Sequence, residues 1–194
     1  MAGKNNLPTG TTPPASRRAR GSVLWLTGLP GSGKSTLAAG LVRELQETGF
    51  GAFNLDGDHL RQGLCSDLQF SPEDRAENIR RAGEVAALLA GAGLMVVCSL
   101  ISPYAAGRKL ARACCVRDGL RFAEVFVDAP VEVCRERDPR GLYRRAEAGE
   151  IRDFTGVSAP YERPESPDLT INTAELPLDE SLRQLLALAL RMAA

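Results

Sequence analysis

The chain has 194 residues, 44% hydrophobic and 25% charged, which is enough apolar material for one soluble domain and excludes a disordered tail protein or a collagen-like fibre. Twenty-four Lys and Arg cancel twenty-four Asp and Glu, so no global basic field exists to hold nucleic acid, and any anion must be gripped locally. The longest apolar stretch, Leu94 to Ile101 broken by Ser99, is far short of the ~20 residues that cross a bilayer. Five cysteines without a CxxC pair and a single histidine, His59, argue against disulfides and zinc and fit a reducing, cytoplasmic setting.

Residues Met1 to Gly21 are basic, acid-free and rich in Thr, Pro and Gly, and are expected to form a mobile arm. The composition also fits an organelle transit peptide, but Pro8, Pro13 and Pro14 oppose the amphipathic helix such a segment needs. From Ser22 onward, short apolar runs alternate with helical patterns, the mark of an α/β domain with a parallel sheet covered on both faces.

In chain order the pattern predicts a strand at Val23 to Thr27, a helix at Lys34 to Glu47 and a strand at Ala52 to Leu55. A helix over Pro72 to Ala90 follows, with Ser71 as cap, Pro72 at the first helical position and Asp74 placed to complete a capping box. Next come a strand at Leu94 to Leu100, a helix at Pro103 to Arg117, a strand at Glu124 to Val127 and a helix at Pro130 to Glu136. The last pair is a strand at Leu169 to Asn172 and a helix at Leu178 to Arg191. Between them, Asp138 to Pro167 carries several arginines and little apolar periodicity, and is expected to be a mobile lid.

Gly28-Leu29-Pro30-Gly31-Ser32-Gly33-Lys34-Ser35-Thr36 matches GxxxxGK[ST] between a predicted strand and a predicted helix, the context that makes it a phosphate cradle. Its glycines let backbone N–H groups face phosphate oxygens, Lys34 reaches the β and γ phosphates of ATP, and Ser35 offers its hydroxyl to Mg²⁺. No Asn-Lys-x-Asp motif occurs, and Ser99-Leu100-Ile101-Ser102 ends the third strand without an acid, so a GTP-dependent switch is disfavoured. The second strand instead runs into Leu55-Asp56-Gly57-Asp58, with two carboxylates at the sheet edge where parallel folds bind ligands. Either carboxylate could orient an acceptor hydroxyl, take its proton or hold metal-bound water, while Asp56 could equally cap a helix starting near His59.

Arg61, Arg75 and Asn78 offer planar donors suited to an anionic acceptor, the last two on one helix face. Together these residues closely resemble the adenylylsulfate kinase family of P-loop kinases. The resemblance runs through the cradle, Leu55 to Asp58, Phe70 to Arg81, Ile101-Ser102-Pro103, Arg137 to Tyr143, Phe154-Thr155-Gly156 and Tyr161 to Pro164. It implies transfer of the γ-phosphate of ATP to the 3′-hydroxyl of adenosine 5′-phosphosulfate, on a five-stranded P-loop kinase fold, in a homodimer.

Carried onto matching positions, the resemblance makes Asp58 the base or orienting group and lines the acceptor site with Asp56, Arg61, Arg75, Asn78 and Ile101. It stacks the acceptor's adenine between Phe70 and Phe154. Neither Phe lies in an apolar-periodic segment, and Phe154, in the lid, is expected to reach the acceptor on closure. Ser102, proposed in the family as a phosphorylated intermediate, is expected to position the acceptor instead, since no base stands near it in sequence and in-line transfer needs no covalent step. Arg137, Arg140 and Arg144 are expected to neutralise charge or contact the ATP side, with Arg140 replacing a common Lys; His59 and Gln69 depart from the usual Asn and Gly. The alternatives are another small-molecule or nucleoside monophosphate kinase on this fold, or a nucleotide-binding module without turnover.

Overall fold

The computed structural model describes residues 21–194, so the expected arm lies outside the described residues except for Gly21. Gly21 itself belongs to the body: its N–H donates to the carbonyl of Ala90 at 3.1 Å. Five parallel strands, β1 (Ser22–Thr27), β2 (Ala52–Asp56), β3 (Met95–Ser99), β4 (Arg121–Asp128) and β5 (Leu169–Asn172), form one sheet in the order β2-β3-β1-β4-β5. The helices are α1 (Lys34–Glu47), α2 (Gly57–Gln62), α3 (Pro72–Gly91), α4 (Ala105–Arg117), α5 (Val131–Arg137), α6 (Leu142–Glu147) and α7 (Leu178–Ala193). Among the described residues no helix is long and apolar enough to cross a membrane.

Alternation along β1 explains the layering. Leu24 and Leu26 face one side and pack with Leu37, Leu41 and Leu45 of α1 and Leu185 of α7. Val23 and Trp25 face the other and pack with Ile79, Ala82 and Ala86 of α3 and Ala111 and Cys115 of α4. A strand buried on both faces must be apolar at every position, and all six residues of β1 are buried.

The predicted elements are all present, with informative shifts at their ends. Pro103 does not open α4: the helix starts at Ala105, whose N–H is capped from a distance by Glu162 Oε2 at 2.7 Å. The β4 strand begins at Arg121, because Arg121 and Phe122 pair with Ser22 and Val23 of β1. Ser71 caps α3 by accepting from the Asp74 N–H at 3.1 Å, but the Asp74 carboxylate closes no box and instead accepts from the Gln69 N–H at 3.0 Å.

The segment expected to be a lid carries the extra helix α6. Asp138 nucleates it by accepting from the N–H groups of Tyr143 (3.1 Å) and Arg144 (3.3 Å). Tyr143, Ala146 and Phe154 then pack with Ala129 and Cys134 into a third, small core under the phosphate cradle. Phe154, expected outside any core, is thus 8% exposed and meets Tyr143 edge-on with centroids 5.1 Å apart.

Candidate active site

The cradle runs from β1 into α1. Gly28 sits so close to the neighbouring strand that a Cβ would lie 2.3 Å from the Val127 carbonyl oxygen, and Gly33 enters α1 with φ of 97°, so neither position takes a side chain. The buried Lys34 ammonium donates to the carbonyls of Gly28 (3.0 Å) and Leu29 (2.7 Å). Burial pulls its pKa down from 10.5 to about 8, although Asp58 and Asp56 oppose the shift. Phosphate oxygens delivered to such a group would restore its full charge.

Asp56 and Asp58 do different work at the end of β2. Asp56 Oδ2 accepts from Ser35 Oγ at 2.8 Å and Ser99 Oγ at 2.7 Å, and Oδ1 caps α2 by accepting from the Asp58 N–H at 2.9 Å. Burial alone would raise the Asp56 pKa; the three hydrogen bonds and the charge of Arg140 outweigh it and hold the carboxyl below its ordinary value. Asp56 is thus a helix cap, as the sequence allowed, and its other oxygen is held by the cradle serine. Asp58 is half exposed and forms an ion pair with Arg140.

On the other side of the cleft, Arg61 Nη1 donates to the carbonyls of Leu68 (3.2 Å) and Gln69 (3.0 Å), and its guanidinium lies 4.4 Å from the centre of the Phe70 ring. Arg75 donates through Nε to the Phe70 carbonyl at 2.9 Å and through Nη2 to the Asp153 carbonyl at 2.6 Å, so it ties α3 to the 138–167 segment next to Phe154. Burial lowers the pKa of both arginines. Both remain cations, partly stripped of water and paired mainly with carbonyls, which favours an anionic ligand over solvent. Asn78 is 5% exposed with Nδ2 lacking any partner, an orphaned donor in the cleft wall.

One cleft of about 990 Å³ is lined by Lys34, Ser35, Asp58, Arg61, Phe70, Arg75, Asn78, Ile101, Ser102 and Phe154 together, while Asp56 is not part of its lining. Its volume is at the top of the roughly 300–1,000 Å³ range of small-molecule sites.

Three placements add detail that the sequence reading did not give. The Ser102 hydroxyl turns inward, accepting from Trp25 Nε1 at 3.1 Å, and Ser102 is 2% exposed, so it has neither the base nor the access of a nucleophile. Arg140 pairs with Asp58. Arg137 is held by Thr173, donating to its Oγ1 at 3.0 Å and its carbonyl at 2.6 Å, while Thr173 Oγ1 donates to the Ser32 carbonyl at 2.9 Å.

Two supporting residues were not singled out from sequence. Thr173 carried no signal. Tyr143 did, lying in the Gly141-Leu142-Tyr143 block of the resemblance; its hydroxyl donates to the Pro30 carbonyl at 3.0 Å and so joins α6 to the cradle.

A divalent ion arriving with ATP needs only one or two protein oxygens, since Mg²⁺ keeps water and phosphate for the rest. Ser35 Oγ and the hydrogen-bonded Asp56 carboxylate are hard oxygen donors of that kind, 2.8 Å apart at the cradle. Among the described residues there is no cluster of three or more His, Cys, Asp or Glu to form a separate metal cage.

The family model for adenylylsulphate kinase matches residues 20–172. An adenylyl-sulfate kinase of Shewanella amazonensis is 54% identical over 171 residues, covering 88% of this chain and 85% of that protein. One of Clostridium acetobutylicum is 51% identical over 156 residues, covering 80% and 76%. Among solved structures, the Mycobacterium tuberculosis APS kinase CysC in complex with AMPPNP and APS superposes with a TM-score of 0.85 at 49% identity, over 87% of this chain and 97% of that one. Matched by that family model over most of its length and by relatives of about half identity, the chain belongs to the adenylylsulfate kinases.

Proposed function

We propose that this adenylylsulfate kinase passes the γ-phosphoryl group of ATP directly to the 3′-hydroxyl of adenosine 5′-phosphosulfate, releasing ADP and 3′-phosphoadenosine 5′-phosphosulfate from one closed cleft. The observation that carries this reading is the common lining: the cradle lysine, an accessible carboxylate and a desolvated Arg–Phe–Asn cluster share a single cavity. A phosphoryl donor and an anionic, aromatic acceptor are what those three kinds of surface fit.

Cradle amides, the positive end of α1 and Lys34 hold the ATP phosphates. Ser35 and Asp56 would hold Mg²⁺, which when bound supplies charge neutralisation on the β and γ oxygens. Asp58 orients the acceptor hydroxyl and takes its proton. Its pair with Arg140 is half exposed, and such pairs contribute at most about 1 kcal/mol, so the acceptor displaces the guanidinium at little cost. Once displaced, Arg140 is free to meet charge on the transferring group. Arg61, Arg75 and Asn78 take the phosphosulfate end, and Phe70 and Phe154 take the adenine; base–aromatic stacking is worth about 1–3 kcal/mol. An acceptor without the anionic tail would leave guanidinium groups unpaired, which is the basis of its rejection.

Direct transfer is favoured over a phosphoserine because the Ser102 hydroxyl is engaged by Trp25. The lid from about 138 to 167 closes the cleft and keeps water from the γ-phosphate. The reading includes a homodimer working in cytoplasmic sulfate assimilation, both carried by family resemblance alone; sedimentation of the purified chain tests the first.

The deciding experiment is ADP release with adenylylsulfate and with AMP as acceptor. Turnover with the sulfated compound only supports the reading. Turnover with AMP makes the protein a nucleoside monophosphate kinase, and silence with every acceptor makes it a module without turnover. Chelation of divalent ions should abolish the release.

A further inference from the structure

The wall of the cleft formed by Ile101, Ser102 and Pro103 adopts a conformation its sequence does not favour. Ser102 has φ of 40°, in the left-handed region where residues other than glycine are strained. Strain of this kind persists only where the surroundings over-determine it. Here they do so from beneath. Thr27 Oγ1 donates to the Ile101 carbonyl at 2.7 Å, Trp25 donates to the Ser102 hydroxyl, and Arg108 Nη1 donates to the Ser102 carbonyl at 2.9 Å.

Arg108 is unusual among these. It is 4% exposed, lies outside the cleft lining, and is paired through Nε with Glu124 Oε1 at 2.6 Å. A buried ion pair is a poor way to glue α4 to β4, because apolar residues of similar volume do that as well or better. What an apolar residue cannot do is donate to the carbonyl of Ser102. The end of the lid segment reaches the same loop: Tyr161 OH and Thr27 Oγ1 are 2.9 Å apart, and the Glu162 N–H donates to the Pro103 carbonyl at 2.8 Å.

We propose that Arg108, oriented by Glu124, is a positioning residue for the acceptor. It fixes the strained Ser102 turn so that the cleft wall stands at the place where adenylylsulfate binds. The proposal rests on the acceptor site of the function given above, and it assigns no contact between Arg108 and either substrate.

The test is the double variant Arg108→Met/Glu124→Leu, which removes the pair without stranding one buried charge. Its melting temperature should equal or exceed that of the wild type, its KM for ATP should be unchanged, and its KM for adenylylsulfate should rise on the order of ten- to a hundredfold, the scale of an ångström-sized misplacement. A folded double variant with both KM values unchanged, or with both raised equally, overturns the proposal.

Trp25→Phe keeps an aromatic side chain but removes the indole donor along with some buried volume, so it serves, read by the split between the two KM values, if the double variant does not fold. A rise of a few-fold in the KM for adenylylsulfate alone supports the proposal, and no change or an equal change for ATP overturns it. Failure of the functional reading is separate, showing as a wild-type chain that does not turn over adenylylsulfate at all.

Discussion

The two halves of the cleft are built in opposite ways. The cradle is shaped largely by bonds within a few residues, with Tyr143 and Thr173 added from outside: the Ser32 N–H donates to the Leu29 carbonyl at 3.1 Å, and Lys34 folds onto Gly28 and Leu29. The acceptor side has short-range bonds too, Arg61 to Leu68 and Gln69 and Arg75 to Phe70, but they do not close it. Arg75 meets a lid carbonyl 78 residues away, and Trp25 reaches Ser102 across 77 residues. A ligand bound mainly by backbone amides of one loop can be held by a rigid, self-contained motif. In the proposed reading adenylylsulfate is read by side chains from α2, α3, the end of β3 and the 138–167 segment, held only once the tertiary structure has brought them together, so its affinity should depend on that segment more than that of ATP does.

The sharpest way to break this contrast is at Lys34. Lys34→Met should cut turnover on the order of 10³-fold, the loss expected when a charge aimed at the transferring group is removed, with circular dichroism checking that the fold is intact. The same pair of proteins reports the burial of the ammonium. In the folded chain its pKa is about 8 against 10.5 for the ordinary lysine. Between those values the unfolded chain binds more protons, so Lys34 detracts from stability at neutral pH and ceases to do so as pH rises through that window. Denaturant unfolding without nucleotide should therefore show the stability difference moving in favour of the wild type between neutral pH and about pH 10.

Next in size is Arg75→Ala. It should raise the KM for adenylylsulfate by about ten- to a hundredfold, the worth of a charge-assisted contact in a desolvated site, while leaving the KM for ATP near its starting value. Equal weakening of both substrates would erase the distinction between the halves. The smallest expected effect is at the seam. Tyr143→Phe deletes one hydrogen bond from lid to cradle, worth about 1 kcal/mol, and should change both KM values by no more than a few-fold in the same direction.

The same contrast governs what could be read from the sequence. The cradle, the acid pair and the five strands were legible because each is written in adjacent residues: a GxxxxGK[ST] run, an Asp-Gly-Asp turn, a buried apolar run. The short helix α6 was not, because six residues give no readable period and its cap, Asp138, stands four residues ahead of the first helical position. Arg75 and Asn78 could be placed on one face of α3, but not the partner carbonyl on Asp153 or the orphaned amide of Asn78. The inward turn of Ser102 depends on an indole from β1, and the assignment of Arg140 to Asp58 depends on how the lid packs; neither leaves a trace in local sequence. Phe154 looked free because its core neighbours, Tyr143 and Cys134, come from helices too short or too distant to show a pattern around it.

The account turns on Asp58 standing between the two halves and orienting the acceptor hydroxyl toward the phosphate held by the loop. Single-turnover transfer by Asp58→Asn, with both substrates saturating and ATP binding measured in parallel, tests it most directly. The account predicts a rate lowered by about 10²–10⁴-fold with ATP affinity almost unaltered; transfer near the wild-type rate would remove Asp58 from the chemistry and contradict it.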